Sequence, residues 1–195
     1  DTSTYSRFVP GDYTFTGTLG KIINAEGKRV VPNGQTATLT VTVIGVEVTP
    51  IRVACVGDSI TYGDKAEAGE SYPAVLQKLL GARYEVMNFG VCGATAQSDK
   101  SPYVGSTPYT NSLASNPDIV IMMLGTNDSW NDYWNEEQFV LDYTSLIEEY
   151  MYLENKPEVY LAISPACYIE SNISAVTAKQ REIAAELGIK TVDMY

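Results

Sequence analysis

Five apolar runs of strand length, spaced along residues 51–195, limit what this chain can fold into more than any other feature. They read IRVACVG (51–57), YEVMNFG (84–90), DIVIMMLG (118–125), EVYLAIS (158–164) and IKTVDMY (189–195). Strands this continuously apolar need cover on both faces. The stretches between them supply it, because their apolar residues recur at helical spacing. Tyr72, Val75, Leu76, Leu79 and Leu80 fall on one helical face, as do Phe139, Val140, Tyr143, Leu146, Ile147, Tyr150 and Met151. A further Ala-rich helix is expected over about 174–187, stopped by Gly188. The alternation predicts an α/β fold in three layers, a parallel five-stranded sheet flanked by helices.

The first fifty residues follow a different period. Tyr13, Phe15 and Gly17 alternate with Thr14, Thr16 and Thr18, and Ala37, Leu39, Val41 and Val43 alternate with threonines. That is the pattern of short strands with one wet face. Glu26-Gly27 and Pro32-Asn33-Gly34 provide the turns. The expected organisation is therefore a β-rich segment over 1–50 and an α/β domain over 51–195.

Composition removes several classes of function. A chain of 195 residues has room for one ordinary domain with a small appendage. Its 13 Lys and Arg against 24 Asp and Glu give a formal charge of −11. Such a surface repels phosphate backbones, so nucleic acid is not an expected partner. No apolar run approaches the ~20 residues that span a bilayer. The three cysteines, Cys55, Cys92 and Cys167, show no metal-binding spacing. Cys55 reads as a buried apolar residue, and a Cys92–Cys167 pair is left open. The sequence contains no histidine, so a Ser-His-Asp triad and most catalytic zinc sites are incomplete within it.

In open α/β sheets, ligands bind beyond the carboxyl ends of the strands. The first three apolar runs end there in Gly57-Asp58-Ser59, Asn88-Phe89-Gly90 and Gly125-Thr126-Asn127-Asp128. Each alone reads as a turn or a helix cap. Three polar tips in succession point to a site.

These tips lie in the blocks VGDSITYG (56–63), NFGVCGAT (88–95) and LGTNDS (124–129), the last preceded by Asn116-Pro117-Asp118. Across 51–195 the chain resembles the SGNH hydrolases, the GDSL-type lipase and esterase superfamily. The resemblance implies a flavodoxin-like SGNH fold and acyl transfer through an acyl-serine, with Ser59 as nucleophile. It assigns the oxyanion donors to the backbone N–H of Ser59, the backbone N–H of Gly90 and the side-chain amide of Asn127. Asp58 and Asp128 are read as holding the loops. The family carries its general base in a late Asp-x-x-His block, which is absent from these 195 residues, and Asp193 is not taken as its aspartate. The expectation is that these residues alone have little or no turnover, and that a segment beyond Tyr195 supplies base and closing helix. Packing agrees, since the visible helices leave part of one sheet face uncovered, to be filled by that missing C-terminal segment or by a symmetry mate. Residues 10–43 resemble part of a bacterial immunoglobulin-like module, the alternative being a β-extension packed on the following domain.

Aromatic residues after the strand ends suggest the substrate. Tyr103, Tyr109, Trp130 and Trp134 are expected to rim the crevice, where aromatic faces stack on sugar rings. The expected activity is removal of acetyl or other small acyl groups from carbohydrates, without cofactor or metal, in a bacterial extracellular or cell-surface setting. The alternatives are a thioesterase or lysophospholipase-like enzyme, and a catalytically dead glycan-binding or interaction module. A metal site built from Asp58, Asp64, Glu67, Glu70 and Asp128 has no supporting ligand spacing.

Overall fold

Threonine-rich alternation near the amino terminus and continuous apolar runs later on produce two different kinds of sheet. The computed structural model describes residues 11–18, 22–23, 26–30, 36–43, 49–166 and 171–194. The chain divides into two compact units, Asp1–Val48 and Thr49–Tyr195. In the first, strands β1 (Gly11–Thr18), β2 (Ile22–Ile23), β3 (Arg29–Val30) and β4 (Thr36–Val43) pair antiparallel as two ribbons. β1 meets β4 from Gly11 opposite Val43 to Thr18 opposite Thr36, and β2 meets β3 across the turn at Glu26 and Gly27. Tyr13, Phe15, Val41 and Val43 are half-buried, while Thr14, Thr16, Thr38 and Thr40 face water. The Pro32-Asn33-Gly34 turn lies outside the described residues, and nothing in the two ribbons identifies an immunoglobulin-like module.

The second unit is a five-stranded parallel sheet. Its elements are β5 (Ile51–Gly57), α1 (Ser59–Tyr62), α2 (Tyr72–Leu80), β6 (Tyr84–Gly90), α3 (Thr107–Ala114), β7 (Ile119–Met123), α4 (Glu136–Met151), β8 (Glu158–Ile163), α5 (Ile173–Leu187) and β9 (Lys190–Asp193). The strand order is β6-β5-β7-β8-β9. From β5 the chain goes first to one side and then to the other, so the order reverses at β5. Its carboxyl end is the switch point at which crevices form.

Register sorts the side chains between faces. Ala54, Val56, Val120, Met122, Val159 and Leu161 point to one face and are buried against Phe139, Tyr143, Leu146, Ile147 and Tyr150 of α4, with Val176 and Ile183 of α5. Tyr109 and Leu113 of α3 join this cluster. The opposite face carries α2, which leaves a groove of ≈ 540 Å³ lined by Tyr72, Val75, Leu76, Leu79, Ile121, Met123, Ala162, Val192 and Met194, with Glu70 at its edge. Leu79, expected to pack within the α2 face, is 78% exposed. Among the described residues, no helix covers the part of this face formed by β7, β8 and β9.

Two expectations need correction. Residues 107–114, where no helix was expected, form α3; Ser106 caps it by accepting the N–H of Tyr109 at 3.2 Å, and Pro108 sits in its first turn. The last strand is also shorter than 189–195, four residues with no buried side chain. Among the described residues no helix is long and apolar enough to cross a membrane.

Candidate active site

Asp58 lies between β5 and α1 and caps the helix. Its backbone is extended, and its carboxylate accepts the N–H of Ile60 at 2.9 Å, so Ser59 becomes the first residue of the helix. Ser59 is half-buried. Among the described residues its hydroxyl has no hydrogen-bond partner, so nothing there acts as a base upon it.

Asn88 joins α1 to the β6 tip. Its amide donates to the carbonyls of Thr61 (2.8 Å) and Tyr62 (3.3 Å), and its Oδ1 accepts the N–H of Gly90 at 2.9 Å. That last bond corrects the oxyanion assignment. The Gly90 N–H is already used, Gly90 is buried, and a Cβ there would run into the backbone of Tyr62. Gly90 is a glycine of close approach, letting α1 pack on β6. The free donor lies three residues on. Gly93 is exposed, has φ +78° in the left-handed region, has open space around it, and its N–H makes no hydrogen bond among the described residues.

The β7 tip locks onto that same loop. Asn127 Nδ2 donates to the carbonyl of Ala94 at 2.9 Å, which orients the amide and leaves its second N–H. The neighbouring Asp128, fully buried, accepts the N–H groups of Ala96 (3.0 Å) and Gln97 (2.9 Å) and the Gln97 amide (3.3 Å). Gln97, also buried, accepts the N–H of Asn135 at 3.1 Å. Beneath the tips, Gln180 donates to the Leu124 carbonyl (2.6 Å) and to Ser164 Oγ (3.0 Å), while Tyr143 Oη accepts the Leu124 N–H at 3.2 Å. Gln97 and Gln180 were missed by sequence reasoning, and Asn88, read as part of the polar β6 tip, was given no role of its own. A glutamine facing helix partners carries no pattern that separates buried bracing from a solvated surface.

The tips are negatively polarised. Burial pushes the Asp58 carboxyl up to about 6, opposed in part by the Ile60 N–H and reinforced by nearby Asp128. Burial also raises Asp128, opposed by the N–H groups of Gln97 and Ala96. Cys55 is buried in β5 and its thiol is pushed up to about 12 by burial, which makes it inert. Cys92 is exposed; Cys167 lies outside the described residues, and with it the pairing of the two. Among the described residues no group of three or more His, Cys, Asp or Glu is placed to hold a metal ion.

The aromatic rim is only partly where it was expected. Tyr103 is fully buried with its hydroxyl donating to the Phe89 carbonyl at 2.8 Å, so it packs the β6 loop and cannot stack on substrate. Tyr109 is half-buried edge-on to Tyr103, its hydroxyl donating to Glu149 at 2.7 Å. Trp134 packs on Phe139 with ring centroids 5.3 Å apart. Trp130, just past Asn127, is 51% exposed.

Solved structures share this architecture. A protein described as lipolytic, of the G-D-S-L family, from Desulfitobacterium hafniense DCB-2 superposes with a TM-score of 0.59 at 26% identity, over 73% of this chain and 77% of that one. A carbohydrate acetylesterase family member from Sinorhizobium meliloti gives 0.58 at 23% over 73% and 82%. A family two carbohydrate esterase from Clostridium thermocellum, solved with cellohexaose, gives 0.61 at 15% over 93% and 78%. The likeness to these last two is one of fold. An acetylxylan esterase from Xylanibacter ruminicola is 45% identical over 87 residues, 43% of this chain but only 18% of that protein. Residues 55–195 match the model of the GDSL-like Lipase/Acylhydrolase family, and the chain belongs to that family.

Proposed function

We propose that this chain carries the nucleophile and oxyanion donors of a serine esterase that removes small acyl groups, chiefly acetyl, from carbohydrates. The observation that carries the reading is the convergence of Ser59, Gly93 and Asn127 on three adjacent strand tips at the switch point of the sheet. Ser59 Oγ attacks the ester carbonyl and transfers its proton to a base. The negative charge forming on the carbonyl oxygen is met by the N–H groups of Ser59 and Gly93 and by the free N–H of Asn127. The base gives that proton to the departing alcohol; water then loses a proton to the same base as it attacks the acyl group, and Ser59 Oγ regains it as the carboxylic acid leaves. The base is an imidazole from outside these 195 residues, which contain no histidine. Similarity to an acetylxylan esterase supports acetyl as the acyl group, and the exposed Trp130 beside Asn127 offers a face for a sugar ring.

The test is release of acetate from acetylated xylo-oligosaccharides by the full-length natural polypeptide and by residues 1–195 alone, each with Ser59→Ala. The expected result is turnover by the full-length protein that falls at least about 10³-fold with Ser59→Ala, and little turnover by residues 1–195. Turnover unaffected by Ser59→Ala would sink the esterase reading. The missing imidazole favours a second reading, a glycan-binding module on a hydrolase fold. That reading predicts saccharide binding undiminished by Ser59→Ala and no Ser59-dependent turnover at either length.

A further inference from the structure

Two buried oxygens at the site have no partner: Asp58 Oδ2 and Thr126 Oγ1. One belongs to a group that can only accept when ionised, the other to a hydroxyl that can donate. Gly57 and Met123 face each other on the two strands that lead to them, and the Thr126 hydroxyl is among the groups that favour the charged form of Asp58. A buried carboxylate oxygen left bare is costly, and pairing the two satisfies both. Their place in the chain gives the pairing a consequence. Asp58 immediately precedes Ser59 and Thr126 immediately precedes Asn127, so a bond between them fixes the separation of nucleophile and oxyanion amide. Asp128 does the equivalent on the other side, tying the β7 tip to the loop after Gly93 through Ala96 and Gln97.

Resting on the esterase reading above, we propose that Thr126 and Asp58 are positioning residues, the Thr126 hydroxyl donating to Asp58 Oδ2 so that the β5 and β7 tips hold Ser59 and Asn127 at reacting distance. The charged and titratable groups facing Asp58 are Asp128 from the β7 tip, Tyr72 from α2 and Tyr143 from α4. None of them is cationic, so the ionised carboxylate rests on the N–H groups of Ile60 and of Asp58 itself and on the Thr126 hydroxyl.

The bridge is tested without turnover by titrating the Asp58 carboxyl carbon by NMR in residues 1–195. Thr126→Val removes the donor at constant shape, and the Asp58 midpoint should move upward by about half a unit or more, with Thr126→Ser restoring it. An unchanged midpoint in the valine variant overturns the bridge. Positioning is tested in the full-length polypeptide. Thr126→Val should lower kcat about tenfold with KM within about twofold, since misplacement of reacting groups is felt in the transition state. Thr126→Ser should recover most of kcat. Equal kcat for valine and wild type overturns the positioning role. A wild type with no Ser59-dependent turnover overturns the esterase reading and positioning together, while the titration still decides the bridge.

Discussion

The two faces of the parallel sheet are built from similar residues and finished differently. On one, α3, α4 and α5 bury Phe139, Tyr143, Leu146, Ile147 and Tyr150 completely or nearly so against β5, β7 and β8. On the other, α2 presents Val75, Leu76 and Leu79 to a groove floored by Ile121, Met123 and Ala162. Apolar periodicity in the sequence is equally good for α2 and α4. What differs is whether a second layer arrives, and periodicity cannot report that. The lesson is that a helical apolar stripe identifies a surface that wants burial, whereas the energy is gained only where packing is closed on all sides.

The sharpest way to break the contrast is a large-to-small change on the closed face. Phe139 is fully buried, with Trp134 and Tyr143 each 5.3 Å away between ring centroids. Phe139→Ala removes the ring and leaves a cavity that these neighbours cannot fill. The expected loss is about 3–5 kcal/mol, read as a lower urea midpoint. A loss below about 1 kcal/mol would mean that α4 is not seated on the sheet as described.

Asp58 sits where the two faces meet, with Tyr72 from one and Tyr143 from the other. Its folded-state pKa is raised from 3.8 to about 6, chiefly by burial. The neutral carboxyl is therefore the form the fold prefers. Its contribution is whole below about pH 4, declines as pH rises, and is gone above pH 6, leaving an ionisation penalty of about 3 kcal/mol. Asp58→Asn keeps an acceptor for Ile60 and does not titrate. The variant should be more stable than wild type at pH 8 by up to about 3 kcal/mol, with the difference vanishing near pH 4. Parallel stability curves for the two proteins between pH 4 and 8 would refute it. A group that destabilises the fold at neutral pH and adjoins Ser59, the proposed nucleophile, is where function and stability would part company.

How far the sequence could be read follows from the same contrast. The strands were legible because β5, β7 and β8 carry apolar side chains on both faces, Ile121, Met123 and Ala162 on the open one included, and so are written as unbroken apolar runs. Ser59 and Asn127 could be singled out as candidates because each sits in a strand tip that combines Gly with polar residues. The choice between Gly90 and Gly93 was not, since NFGVCGAT offers both. Only the backbone decides, giving one a buried, occupied N–H and the other a positive φ at the surface. Tyr103 misled for a related reason. An aromatic in a Ser- and Pro-containing loop looks exposed, but its hydroxyl found the Phe89 carbonyl and its ring went inside. Helix α3 was hidden in that loop by Pro108, although Ser106 and Pro108 together are a readable helix start.

The smallest expected effect is also the one that best probes the open face. Leu79 is exposed on α2 and lines the groove, so Leu79→Gln exchanges one good helix former for another and leaves no cavity behind. In residues 1–195 the stability change should stay within about 0.5 kcal/mol. Measured at two protein concentrations tenfold apart, the urea midpoint of wild type should not move, as expected for a groove that water fills. A loss of 2 kcal/mol or more on substitution would mean that Leu79 is buried in solution. A concentration-dependent midpoint would then name a second copy as the cover, and a concentration-independent one would name a segment of the same chain.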